Sequence, residues 1–206
     1  MPVLTLDAAL PGCSAGVVRG GAVLAVRVME GARGHAAALP AMAAAVLAEA
    51  GVGAGALSMV AVTIGPGSFT GLRAALALAH GIGVAAGVPV VGVTVGEALD
   101  GPADGRLHWA AVDTRRERVF LERGGEVRSV ALDGLPTPDG PVTVGGDAAA
   151  AVAERLAAGG HDVRLGVVLP APAGIAAAAL RRAAAGLPPR PAQPLYVDPP
   201  EARPAA

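Results

Sequence analysis

An α/β fold of two lobes, each a mixed sheet flanked by helices and the second lobe reduced, is predicted by three features of this 206-residue sequence. The first is a repeat. Val3-Leu4-Thr5-Leu6-Asp7 reads as a buried strand ending in Asp, followed by a strand from Cys13 to Arg19, a Gly20-Gly21 turn and a strand from Ala22 to Val28. The same order returns as Trp109-Ala110-Ala111-Val112-Asp113, Val119 to Arg123, Gly124-Gly125 and Glu126 to Leu132. Gly-Gly between two apolar runs is a hairpin signal, because tight hairpin turns need positive φ. The second feature is the alternation of helical and strand patterns between the repeats. The third is the Gly101-Pro102-Ala103-Asp104-Gly105 stretch, which reads as a linker between lobes.

After the first three strands, His35 to Ala50 is helical, with Leu39, Met42 and Val46 at helical spacing and Gly51 as terminator. Leu57 to Ile64 is a strand and Ser68 to Ala86 a long helix, with Ser68 or Thr70 able to cap it. Val88 to Val93 is a strand, and Thr94 caps a short helix holding Glu97 and Leu99. In the second half, Val142 to Val144 is a strand, and Asp147 to Ala158 and Ile175 to Ala185 are helices. From Leu187 the chain is Pro-rich and expected to run extended along the surface. The lobes are therefore placed at 1–100 and 106–186, with the linker at 101–105 and a tail at 187–206. Three strands, then helix, strand, helix and strand, describe one lobe of the actin-like ATPase (ASKHA) fold.

Composition narrows the function. Hydrophobic residues make up 53% of the chain but aromatic residues only 2%, so the core is built from Ala, Val and Leu. The net charge of −1 argues against a protein that grips nucleic acid alone, since phosphate binding needs a basic surplus. The one dense basic cluster is Arg115, Arg116 and Arg118. A single cysteine, Cys13, excludes an intrachain disulfide framework and suits a reducing cytoplasm. The uncharged stretch from Ala74 to Gly96 is long enough for a membrane span, but the Gly87-Val88-Pro89 turn divides it into a buried helix and a buried strand.

Gly65-Pro66-Gly67-Ser68-Phe69-Thr70-Gly71-Leu72-Arg73 connects an apolar strand to a helix. It lacks the Gly-Lys-Ser/Thr ending of a P-loop and the glycine spacing of a nucleophile elbow. The free N–H groups of such a helix start can hold an anion. Spacing alone reads it as a tight strand-to-helix turn.

This nonapeptide resembles the signature of the TsaB (YeaZ) family, a subunit of the bacterial machinery that makes threonylcarbamoyladenosine in tRNA. Ala79-His80-Gly81, Val88-Pro89-Val90-Val91-Gly92-Val93, Glu97-Ala98-Leu99, His35 with Leu39-Pro40, the hairpin from Val112 to Phe120, and Pro194-Leu195-Tyr196-Val197 are similar to the family as well. The resemblance implies a non-catalytic partner that pairs with and activates the transferase TsaD, with the ATPase TsaE joining them. It implies a homodimer when the chain is alone, and tRNA reached only through the complex. ATP or ADP is expected at a partner interface, with no cofactor in the isolated chain, and the location is cytoplasmic with no membrane contact. The partner interface implied is the pair of long helices, through His35, Leu39, Met42, Val46, Phe69, Arg73, Ala77 and Gly81. Gly65, Pro66, Gly67 and Gly71 form the structural turn.

The helix from Ser68 carries small residues at Ala77, Gly81 and Ala85, and the first long helix at Ala37, Ala41, Ala44 and Ala48. Glycine inside a helix costs about 1 kcal/mol against alanine, so close helix approach, in the core or at an interface, should offset it. Asp7 and Asp113 stand at strand ends where actin-like ATPases place metal and phosphate groups. Ala8-Ala9 follow Asp7 where a phosphate loop wants a hydroxyl and glycine, so both carboxylates are read as accepting turn N–H groups. TsaD carries paired metal-binding histidines, whereas His35 is followed at i+3 and i+4 by Ala38 and Leu39. No catalytic, nucleotide-binding or metal-binding residue is assigned. The alternatives are an active ATP-binding enzyme of the actin-like or sugar-kinase fold, and a homodimeric interaction module or inactive glycoprotease-like protein.

Overall fold

The structure is a computed structural model that describes residues 1–31, 34–101, 104–114 and 117–197, with only the backbone described at 35 and 36. Arg115, Arg116, the middle of the linker and the last nine residues of the tail lie outside the described residues.

The first sheet has the order β3-β2-β1-β4-β5. Its strands are β1 (Pro2–Asp7), β2 (Gly12–Arg19), β3 (Ala22–Glu30), β4 (Met59–Gly65) and β5 (Val90–Thr94). The second contains β6 (Leu107–Asp113), β7 (Arg118–Arg123), β8 (Glu126–Ala131), β9 (Val142–Gly145) and β10 (Val163–Leu165), in the order β10-β9-β6-β7-β8. In each, a three-stranded antiparallel meander is extended by two parallel strands. Both hairpin turns have positive φ at both glycines: 56° and 85° at Gly20-Gly21, 56° and 81° at Gly124-Gly125. That geometry matches the right-handed twist of the flanking strands. The sequence repeat is thus a repeat of sheet topology, and the architecture is the actin-like fold. β10 has no counterpart among the expected elements, because Val-Arg-Leu is too short to show a period.

The helices are α1 (His35–Glu49), α2 (Phe69–Ala86), α3 (Val95–Leu99), α4 (Ala149–Ala158) and α5 (Pro172–Ala184). Alternate strand residues build the two cores of the first sheet. Leu4, Leu6, Val60 and Val62 pack with Leu39, Ala43 and Val46 of α1 and Ala75, Leu76 and Ala79 of α2. Val3, Ala61, Val91 and Val93 face the other way, onto Ile175, Ala176, Ala178 and Ala179 of α5. Helix α5 belongs by sequence to the second half but lies across the first sheet. The second sheet keeps α4 on one face, over Trp109, Ala111, Leu121 and Val144. Its other face meets the first half through Ala110 and Val112, against Leu10, Leu72, Val95 and Leu99.

By length and composition α2 could cross a membrane. Here Gly71, Leu72, Ala75, Leu76, Ala79 and Gly83 are its buried residues. Helix α4 starts two residues later than expected, since Asp147 uses its carboxylate to accept the Asp113 N–H at 2.9 Å. The tail is bonded to the first lobe rather than merely running over it. Arg190 O accepts the Gly92 N–H at 2.9 Å, and Ile64 O accepts the Leu195 N–H at 2.8 Å. His80 Nε2 donates to Ala192 O at 2.8 Å, and Ala192 is buried.

Candidate functional site

The Gly65–Arg73 turn sits where the two sheets meet. Ser68 caps α2, its hydroxyl accepting the Gly71 N–H at 3.2 Å. The Ser68 N–H donates to Ala9 O at 2.7 Å, so that donor is spent inside the protein rather than on an anion. A Cβ on Gly67 would lie 2.1 Å from Ala9 O, and one on Gly71 would lie 2.1 Å from Ala8 O. Glycine is required at both positions because the β1–β2 turn presses against this one. Ala8, Ala9 and Leu10 are correspondingly buried.

Asp7, at the end of β1, is 2% exposed. Its Oδ1 accepts the Thr63 hydroxyl at 2.5 Å and the Ala9 N–H at 3.1 Å. These bonds satisfy a carboxylate that burial would otherwise penalise. A nucleotide phosphate would need an open, donor-rich loop after Asp7. The packed Ala8-Ala9-Leu10 turn does not fit one. Asp113 is exposed, at the matching end of β6. Among the described residues, no group of three or more His, Cys, Asp or Glu side chains is placed to hold a metal.

The eight residues expected at a partner interface divide. Phe69, Arg73, Ala77 and Gly81 are exposed and follow one another at i, i+4 along the outward face of α2. Phe69 is 58% exposed, and the Arg73 guanidinium stacks 3.8 Å from its ring centroid. A Cβ on Gly81 would meet nothing within 4 Å. Leu39 and Val46, by contrast, are 1% and 0% exposed and cannot touch another chain. Their helical spacing marks the core-facing side of α1. Met42 is half-buried and receives the Cys13 thiol at 3.7 Å. The outward side of α1 is Ala37, Ala41, Ala44 and Ala48, all exposed. His35 opens α1, with its side chain outside the described residues. The small-residue stripes of both helices are therefore surface features, not core packing.

Glu122 was not legible in the sequence. It lies on β7, is 4% exposed, and reaches from the second sheet to the start of α3. Its carboxylate accepts the Thr94 hydroxyl, and its Oε2 accepts the Gly96 N–H at 2.8 Å. Burial pushes its pKa above the ordinary value, the Thr94 and Gly96 bonds hold it down, and Glu97 and Arg190 add smaller opposing effects. Thr94 and Glu97 form a reciprocal capping box, and Arg190 of the tail pairs with Glu97. One cluster thus ties together the first lobe, the second sheet and the tail.

The family model for TsaD, tRNA N6-adenosine threonylcarbamoyltransferase, matches residues 29–133, about half of the chain. The structure described as YeaZ from Pseudomonas aeruginosa superposes with a TM-score of 0.77 and 26% identity, covering 95% of this chain and 99% of that one. The chain belongs to the TsaB (YeaZ) family. Within the wider set, an uncharacterized protein of Mycobacterium tuberculosis H37Rv is 35% identical over 99% of this chain and 95% of its own length. A tRNA N6-adenosine threonylcarbamoyltransferase of Cereibacter sphaeroides is 32% identical over 53% of this chain and 37% of its own length. This TsaB-family chain therefore shares half its length with a catalytic relative and nearly all of it with YeaZ. Its signature nonapeptide is, in three dimensions, the seat of the β1–β2 turn and the start of the outward face of α2.

Proposed function

We propose that this chain is a non-catalytic partner of the transferase TsaD in forming N6-threonylcarbamoyladenosine in tRNA. It binds TsaD through α1 and α2 and holds it in a competent state, while no residue of this chain makes or breaks bonds. The observation that carries this reading is the pair of outward small-residue faces on two helices packed side by side. Ala37, Ala41, Ala44 and Ala48 on α1 and Ala77, Gly81 and Ala85 on α2 leave the helix backbones open to close approach by another helix pair. The closed turn after Asp7 supports a binding role over an ATPase role. TsaE, and ATP or ADP, join at the interface with TsaD, tRNA is reached through that complex, and the assembly works in the cytoplasm. Alone, the same face pairs with a second copy.

The test is co-purification of the full chain with TsaD from the same organism, read by size-exclusion chromatography with light scattering. Wild type forms a stable complex, and Gly81→Leu does not. A complex of undiminished stability with Gly81→Leu overturns the helix-face reading. Calorimetry of the isolated chain with ATP and magnesium separates the enzyme alternative: tight stoichiometric binding would favour it.

A further inference from the structure

The chain contains two Phe, one Tyr and one Trp. Both Phe and the Tyr line one small pocket beside the start of α2, where Phe69, Phe120 and Tyr196 surround a cavity of about 130 Å³. Leu72, Leu195 and Val197 complete its apolar wall. Phe69 is 58% exposed and Tyr196 60% exposed. Two aromatic rings left in water, in a chain with so few, form a patch that calls for a partner. The tail supplies half of the pocket, and the Leu195–Ile64 backbone bond holds it there. Arg73 crosses the rim. Its guanidinium stacks on Phe69 and donates to the Tyr196 hydroxyl at 3.4 Å, and it forms no ion pair with a described residue. Aromatic residues and Arg around an apolar pocket have the composition of a binding hot spot.

We propose that this pocket is a specificity anchor: it takes one apolar side chain from TsaD, next to an Asp or Glu that pairs with Arg73. The inference rests on the helix-face reading above and adds to it a second, chemically distinct contact. The volume sets the size of the occupant. Cavities near 150 Å³ accept a benzene-sized group, so 130 Å³ is room for one aliphatic or ring side chain. The charge sets its neighbour, because a guanidinium already ordered by stacking and a hydroxyl loses little entropy on binding a carboxylate. Exposed rings and Arg could also stack an unpaired base. Among the described residues Arg73 is the one charged side chain lining the pocket, whereas RNA affinity comes from several cations at once. A protein occupant is favoured.

The experiment is calorimetric titration of the full chain into TsaD, using wild type, Tyr196→Ser, Arg73→Glu and Gly81→Leu. Tyr196 and Arg73 are surface side chains, so each variant should melt within a few degrees of wild type. Arg73→Glu is expected to weaken binding by about thirty-fold or more, the scale of a hot-spot loss. A photo-crosslinking amino acid at position 196 should label a TsaD peptide that carries an apolar residue beside Asp or Glu. Reversing that carboxylate to Arg should restore binding to Arg73→Glu. If Tyr196→Ser and Arg73→Glu bind as wild type while Gly81→Leu does not, the anchor is wrong and the helix-face reading stands. If wild type does not bind TsaD, both fall. Crosslinks to a second copy, or to tRNA added to the mixture, in place of TsaD also overturn the anchor.

Discussion

Gly67 and Gly71 bear the tightest steric demand in the signature stretch. A methyl group at either would sit 2.1 Å from a backbone oxygen, and backbone cannot swing aside as a long side chain can. Gly67→Ala and Gly71→Ala should each destabilise the chain by about 2–3 kcal/mol or more, read from urea midpoints. A loss below about 0.5 kcal/mol would show that the β1–β2 turn is not seated there. The motif was visible in the sequence, but its contact was not, because the touching residues are about 60 positions apart. Glu122 was hidden for a similar reason. Its strand reads as apolar alternation, and the N–H it accepts is 26 residues away. Its pKa is raised, chiefly by burial. As pH rises from the ordinary glutamate range towards the raised value, the unfolded chain loses this proton first, so stability falls across that window. Glu122→Gln keeps a carbonyl acceptor for Gly96 and removes the titration. Its stability should fall less than that of wild type over that window, in denaturation followed against pH. Identical slopes would contradict a raised Glu122.

Among the elements, α2 carries both faces of the proposed function. Its inner face was predictable from helical spacing, and so was its capped start at Ser68. The sequence could not decide between core and surface for Ala77, Gly81 and Ala85, because a small residue suits either. Exposure decides it. Gly81→Leu should therefore raise the stability of the isolated chain by up to about 1 kcal/mol, through helix propensity, while abolishing pairing with TsaD. Stability lost instead of gained would mean that Gly81 has a neighbour inside the fold. Among the described residues the tail runs over the surface without helix or strand, as expected, but its bonds to the first lobe were not legible, because proline masks any period. Its binding depends on hydrogen bonds from Gly92, Leu195 and His80 and on the pairing of Arg190 with Glu97. Deleting residues 187–206 should lower the melting temperature by several degrees, since it uncovers the edge of β5 and removes the buried Ala192. An unchanged melting temperature would show that the tail is not part of the cooperative unit.

In the whole molecule, the duplicated order of strands, read from Asp-ended runs and Gly-Gly turns, reappears as two sheets of the same topology. The placement of α5 across the first sheet was not legible, since its Ala-rich face would fit either sheet. That helix, the Glu122 cluster and the tail join the halves, and the phosphate-loop position is filled by the packed β1–β2 turn. The chain is closed at that turn, while the outer faces of α1 and α2 stay exposed, the arrangement on which the proposed partner role rests. The most direct test is mass spectrometry of tRNA nucleosides from cells depleted of this chain and complemented with wild type or Gly81→Leu. Threonylcarbamoyladenosine should fall on depletion, return with wild type and stay low with Gly81→Leu. An unchanged level of the modified nucleoside after depletion would contradict a role in its synthesis.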